Sequence, residues 1–82
     1  MEVSSMENIV YNYSKLLGRM REKGVTQVVL AKEVGLSETS INFSLGNKRP
    51  FKQDEIASIC AFLDIPISEV ENYFFCRDSL EI

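Results

Sequence analysis

The side chains best equipped to do chemistry lie in one short stretch, Ser37-Glu38-Thr39-Ser40-Ile41-Asn42-Phe43. An Asn amide sets a donor beside an acceptor, a Glu carboxylate accepts, Thr carries a hydroxyl and a methyl, and Phe offers a flat apolar edge. On the outward side of a helix, Ser37, Glu38, Thr39, Asn42 and Phe43 form a set able to read base edges. Asn pairs two-pronged with adenine, Glu accepts from the cytosine amino group, and Thr or Phe meets a thymine methyl. The same pattern is compatible with a merely solvated polar helix. Covalent chemistry is not on offer: the chain has no histidine, no cysteine with a partner base and no glycine-rich phosphate loop. Its carboxylates gather at helix starts, where capping explains them. Cys60 and Cys76 are too few for a metal site and read as reduced structural thiols. An enzyme, a metal, a cofactor and a small-molecule ligand are therefore not expected.

Positioning this set falls to Thr26 to Asn47, TQVVLAKEVGLSETSINFSLGN, which reads as two short helices joined by a tight turn. Thr26 can cap a helix starting at Gln27 by accepting a first-turn amide, and Leu30, Ala31 and Val34 recur on one face that must be buried. Gly35 stands where a helix ends in a left-handed residue, a conformation glycine adopts without steric cost. Leu36 plugs inward and Ser37 caps the next helix. Ile41 and Leu45 give that helix a four-residue apolar repeat, which turns the polar set outward.

The combination Thr26-Gln27, Ala31, Gly35, Leu36, Ser37 and Ile41 at these spacings resembles the helix-turn-helix of the phage repressor and Cro family, and the resemblance runs from about Tyr13 to Phe75. It implies an all-α fold, a compact lambda-repressor-like bundle of four to five short helices. It also implies a transcriptional regulator that lays helix 37–45 in the major groove of a palindromic DNA operator. By the same resemblance Gln27 anchors a phosphate at a helix start, and Ser40 is a further phosphate contact. The first helix, with Lys15 and Arg19, crosses the backbone, and the loop Asn47-Lys48-Arg49 lies along it. As a plain turn that loop is equally legible, since Gly46 and Asn47 tolerate the left-handed conformation and Pro50 stops a helix. Ser44 stands where the family is usually apolar, and Phe43 where it is often polar; a slight rotation of the helix would turn Phe43 inward. Val28 and Val29 replace usual polar residues, and two adjacent valines cannot both point into a core. One of them packing beneath the amino-terminal residues is the simpler expectation, an apolar patch facing a partner the other.

The chain divides into a flexible arm over 1–12, the helix-turn-helix domain over 13–75 and a tail over 76–82. Its 82 residues make one domain, and 45% hydrophobic residues are enough for it to fold. No apolar run approaches a membrane span and Met1 to Ser5 has no signal-peptide pattern, so a cytoplasmic protein is expected. The net charge of −3 speaks against a nucleic-acid partner, but its distribution does not. Residues 14–53 hold eight basic against three acidic side chains, +5, whereas residues 54–82 hold one basic against seven acidic, −6. Such a chain can turn one positive face to DNA. That acidic segment, Val28-Val29 and the aromatic end also suit a protein-interaction module or antitoxin with little sequence-specific DNA binding.

Tyr13, Leu16, Leu17 and Met20 mark an amphipathic first helix, with Lys15, Arg19 and Lys23 along another face. Phe51 reads as a hydrophobic staple onto Ile56, and Lys52 as the cap of a helix that buries Ile56, Ile59, Cys60 and Leu63. Pro66 breaks the chain and Ser68-Glu69-Val70-Glu71 reads as a capping box opening a fifth helix. Val70, Tyr73 and Phe74 form the apolar side of that helix, and Tyr73-Phe74-Phe75 is more aromatic than a small core needs: one or two of the rings should cover the core, and the rest are the candidate contact for a homodimer.

Overall fold

The computed structural model describes residues 10–77. Among these the chain forms five α-helices and one short 3₁₀ turn: α1 (Ser14–Glu22), α2 (Gln27–Val34), α3 (Glu38–Leu45), α4 (Gln53–Leu63), the 3₁₀ turn Ile67–Glu69 and α5 (Val70–Phe74). The fold is an all-α bundle, and among the described residues no helix is long and apolar enough to cross a membrane.

Local chemistry sets the boundaries. Thr26 Oγ1 accepts the Val29 amide at 3.2 Å and Ser37 Oγ accepts the Ser40 amide at 3.1 Å, so each central helix starts on a side-chain cap. Gly35 is left-handed at φ 75°, and the Leu36 amide returns to the Ala31 carbonyl at 2.9 Å, closing the turn between α2 and α3. At the far end of α3 the left-handed residue is Asn47 (φ 64°), and α4 ends on Asp64 (φ 56°).

Packing follows the apolar periodicity. Leu16 and Met20 of α1, Leu30 and Ala31 of α2, Ile41 of α3, and Ile59, Cys60 and Leu63 of α4 meet Tyr13, Ile65, Tyr73 and Phe74 in one core. Helix α2 packs on α3 and α4, while α5 closes over α1. Phe51 sits edge-on between Tyr13 and Phe74, with ring centroids 5.6 and 5.4 Å away, arrangements that add about 0.5–1.5 kcal/mol per pair beyond burial.

Two expectations are corrected. Residues 10–12 are not a free arm: Tyr11 forms an antiparallel bridge with Arg77, and the Asn12 amide donates to the Cys76 carbonyl at 2.6 Å. The rest of the expected arm, 1–9, and of the tail, 78–82, lies outside the described residues. Ser68 caps nothing, because the chain after Pro66 first turns as a 3₁₀ helix and α5 begins only at Val70. Two of the three carboxy-terminal rings cover the core, as expected: Tyr73 and Phe74 are 9% and 2% exposed. Phe75 is the ring of the three left at the surface, edge-on to Tyr11 at 5.9 Å.

Candidate nucleic-acid interface

Helix α3 turns Ile41, Ser44 and Leu45 toward the core, which directs Thr39 and Phe43, one turn apart, outward, with Glu38, Ser40 and Asn42 on the flanks. Ser37, Glu38, Thr39 and Asn42 are exposed, Ser40 is half-buried, and its hydroxyl receives that of Ser37 at 3.1 Å. Phe43 is 46% exposed, so it stays in the outward set. Gln27 at the start of α2 is half-buried, and its Oε1 accepts from Asn42 Nδ2 at 3.4 Å. That long bond joins the expected phosphate anchor to the expected adenine reader. The Lys48 amide donates to the Phe43 carbonyl at 2.8 Å, which fixes the loop after α3 while the Lys48 side chain is exposed.

Three of the expected phosphate contacts are held elsewhere. Arg49 sends Nη1 to Glu55 Oε1 at 3.0 Å and Nη2 to Glu55 Oε2 at 2.6 Å, and its Nη1 also reaches the buried Ser44 hydroxyl at 2.8 Å. Ser44 is polar at an apolar position because this guanidinium satisfies it. The Lys52 amide donates to Glu55 Oε1 at 2.9 Å, tying the pair to the start of α4. The Arg49 hydrogen bonds hold the Glu55 carboxyl below its ordinary pKa against the opposing effect of burial, and the Lys52 amide and nearby positive charge add to the lowering. Asn47 grips the backbone of Tyr11 with both ends of its amide, accepting its N–H at 2.8 Å and donating to its carbonyl at 3.0 Å. Arg19 caps the end of α4, donating to the carbonyls of Leu63 at 2.9 Å and Asp64 at 2.7 Å. Its neighbour Lys23 bonds the Asp64 carboxylate at 2.8 Å, which pulls that carboxyl below its usual range.

The family model described as "Protein of unknown function (DUF739)" matches residues 9–77 of this chain. The protein belongs to the DUF739 family. A similar solved structure is the solution structure of the modulator of repression (MOR) of the temperate bacteriophage TP901-1 from Lactococcus lactis. It is 38% identical, the alignment covers 79% of this chain and 88% of that one, and the TM-score is 0.68. No curated protein matches the chain.

In this DUF739 protein three of the eight cations in the stretch 14–53 are held by groups of the chain itself. They are Arg19, Lys23 and Arg49, which leaves Lys15, Arg21, Lys32, Lys48 and Lys52 exposed. Val28 and Val29 are both at the surface, 49% and 40% exposed, while Leu30 and Ala31 fill the inner face of α2. Sequence reasoning missed Ser44 and Glu55 as a buried polar pair served by Arg49. The signal was available: a Ser at an apolar helical position, with an Arg five and a Glu eleven residues on, is a polar core in need of a donor.

Proposed function

We propose that this DUF739 protein is a transcriptional regulator of a phage repression switch. In this reading it binds a palindromic operator through a helix-turn-helix, with α3 in the major groove. The similarity to a modulator of repression supports the regulatory part. The observation that carries the DNA part is the pair of capped helices α2 and α3, with Glu38, Thr39, Asn42 and Phe43 outward and Gln27 bonded to Asn42. Asn42 and Glu38 read bases, Thr39 and Phe43 meet thymine methyls, and Gln27, Ser40 and Lys48 face the sugar-phosphate backbone. Lys15, exposed on α1, is a further phosphate contact in this reading. Two copies bind the two half-sites, and Phe75 beside Tyr11 is the aromatic surface left for their contact.

A second reading has its own observations. Val28, Val29 and Phe43 add apolar surface to α2 and α3, and three cations of the stretch are engaged internally. Both features suit a protein of the same repression circuit as the partner of this face.

Selection of sites from randomised duplex, followed by a salt titration, separates the two. DNA recognition gives a palindromic consensus with half-sites about one helical turn apart. Asn42→Ala then weakens binding by about 1–3 kcal/mol and relaxes one base position, and Lys48→Ala lowers the salt slope by about one. Enrichment of no sequence, with weak binding that vanishes at moderate salt, defeats the DNA reading and leaves the protein partner.

A further inference from the structure

A second surface lies away from α3. The outer side of α4, the 3₁₀ turn and the start of α5 enclose a cleft of about 430 Å³. Its base is the buried Cys60 and Ile65, its walls Ala57, Ala61 and Val70, and Ile67 stands at its edge 85% exposed, the most exposed large apolar side chain among those described. Its one polar lining residue is Gln53. The frame is acidic: residues 53–74 carry Asp54, Glu55, Asp64, Glu69 and Glu71 and not one Lys or Arg. Arg49 neutralises Glu55 and Lys23 neutralises Asp64, so Asp54, Glu69 and Glu71 set the local field, with Lys52 the nearest cation in sequence.

We propose that this cleft is a docking site for a basic amphipathic helix of a partner protein, separate from the α2–α3 face. The face of α4 from Gln53 to Ala61 runs along it, room for the two or three apolar side chains that one face of a short helix presents at i, i+3, i+4 and i+7. Lysines or arginines flanking those anchors meet Asp54, Glu69 and Glu71. The same carboxylates disfavour the other occupants. A second copy would bring two acidic rims together, and a nucleic acid would be repelled.

The probe is a synthetic helical peptide of about 15 residues, with leucines at that spacing and lysines elsewhere, set against a twin with glutamates for the lysines. Backbone amide shifts of the full chain are followed during titration. The lysine peptide is expected to move resonances of α4, the 3₁₀ turn and α5 and to bind at least about tenfold tighter than its twin, with an affinity that falls as salt rises. Ala61→Arg, which fills the cleft mouth and adds a cation, is expected to lower that affinity at least about tenfold, and Ile67→Ser about fivefold. Ile67 is so exposed that its substitution leaves the fold intact, so the test stands even if Ala61→Arg unfolds the chain. Equal binding of the two peptides, shifts confined to α2 and α3, or no effect of Ile67→Ser overturns the proposal. So does sedimentation showing a dimer that Ala61→Arg dissociates, which assigns the cleft to a second copy.

Discussion

Replacing Glu55 by Gln removes one charge from the polar group that joins α3, its following loop and α4. The carboxylate accepts three hydrogen bonds, two from Arg49 and one from the Lys52 amide. A Gln keeps two of them through its carbonyl oxygen. Its amide nitrogen then faces Arg49 Nη2, donor against donor, where a 2.6 Å charge-assisted bond had been. Breaking a fully buried ion pair costs about 3–5 kcal/mol. Here the Glu55 side chain is 8% exposed but that of Arg49 is 22% exposed, and Arg49 keeps the Ser44 hydroxyl. The loss is accordingly about 2 kcal/mol near neutral pH, or about 10 °C in melting temperature for a domain of this size. The pH dependence follows from the lowered Glu55 pKa. A carboxyl depressed in the folded state contributes its stability above its unfolded value, near 4.5, and loses it as pH falls through the folded value. Gln does not titrate, so wild type and Glu55→Gln converge in acid. Urea unfolding followed by circular dichroism at about pH 7 and about pH 3 reads both quantities. A gap of similar size at the two pH values, or one below about 0.5 kcal/mol at neutral pH, refutes the assignment of this pair as a buried stabilising link.

The other engaged residues give parallel expectations. Asn47→Gly keeps the left-handed backbone but loses both bonds to Tyr11, about 1 kcal/mol, whereas Asn47→Ala adds the strain of φ 64°, for about 2 kcal/mol in all. Faster hydrogen exchange at the Tyr11 amide in both variants is the specific readout. Arg19→Met keeps the aliphatic stem and removes the donors to the Leu63 and Asp64 carbonyls, lowering stability by about 1–2 kcal/mol in thermal unfolding. Burial, with a smaller contribution from neighbouring Tyr11, raises the Tyr13 phenol above its ordinary 10.0. Its contribution is complete below that pH and is lost as pH rises through the folded value, so an ultraviolet titration should show Tyr13 ionising above its ordinary value, together with unfolding.

What could be read from the sequence was local. The caps Thr26 and Ser37 and the left-handed Gly35 bond to residues within five positions, so spacing alone reveals them. Apolar periodicity found Leu30, Ala31, Ile41, Ile59 and Leu63 for the same reason. The internal partners of the charged and amide side chains were not legible, because the fold sets them. Arg19 meets carbonyls 44 and 45 positions away, and Asn47 a backbone 36 positions away. A sequence count treats every cation as free to meet a phosphate. Tyr73 and Phe74 were legible as the apolar side of α5, a five-residue helix with so few inward positions that each must be large.

These internal pairings bear on what the α2–α3 face can do. A charge already bonded within the protein releases no counterion on binding, so each such cation removes about 0.9 from the salt slope and weakens sequence-independent attraction. In exchange, Ser44–Arg49–Glu55 and Asn47–Tyr11 hold the loop beyond α3 to α4 and to the amino-terminal segment, while the Ser37 cap fixes the other end. A helix pinned at both ends gives up little further freedom on binding, which favours discrimination by shape and hydrogen bonds over general stickiness. On the proposed reading, the partner that α3 meets is therefore chosen by Glu38, Thr39, Asn42 and Phe43 more than by net charge, whether it is an operator or a protein.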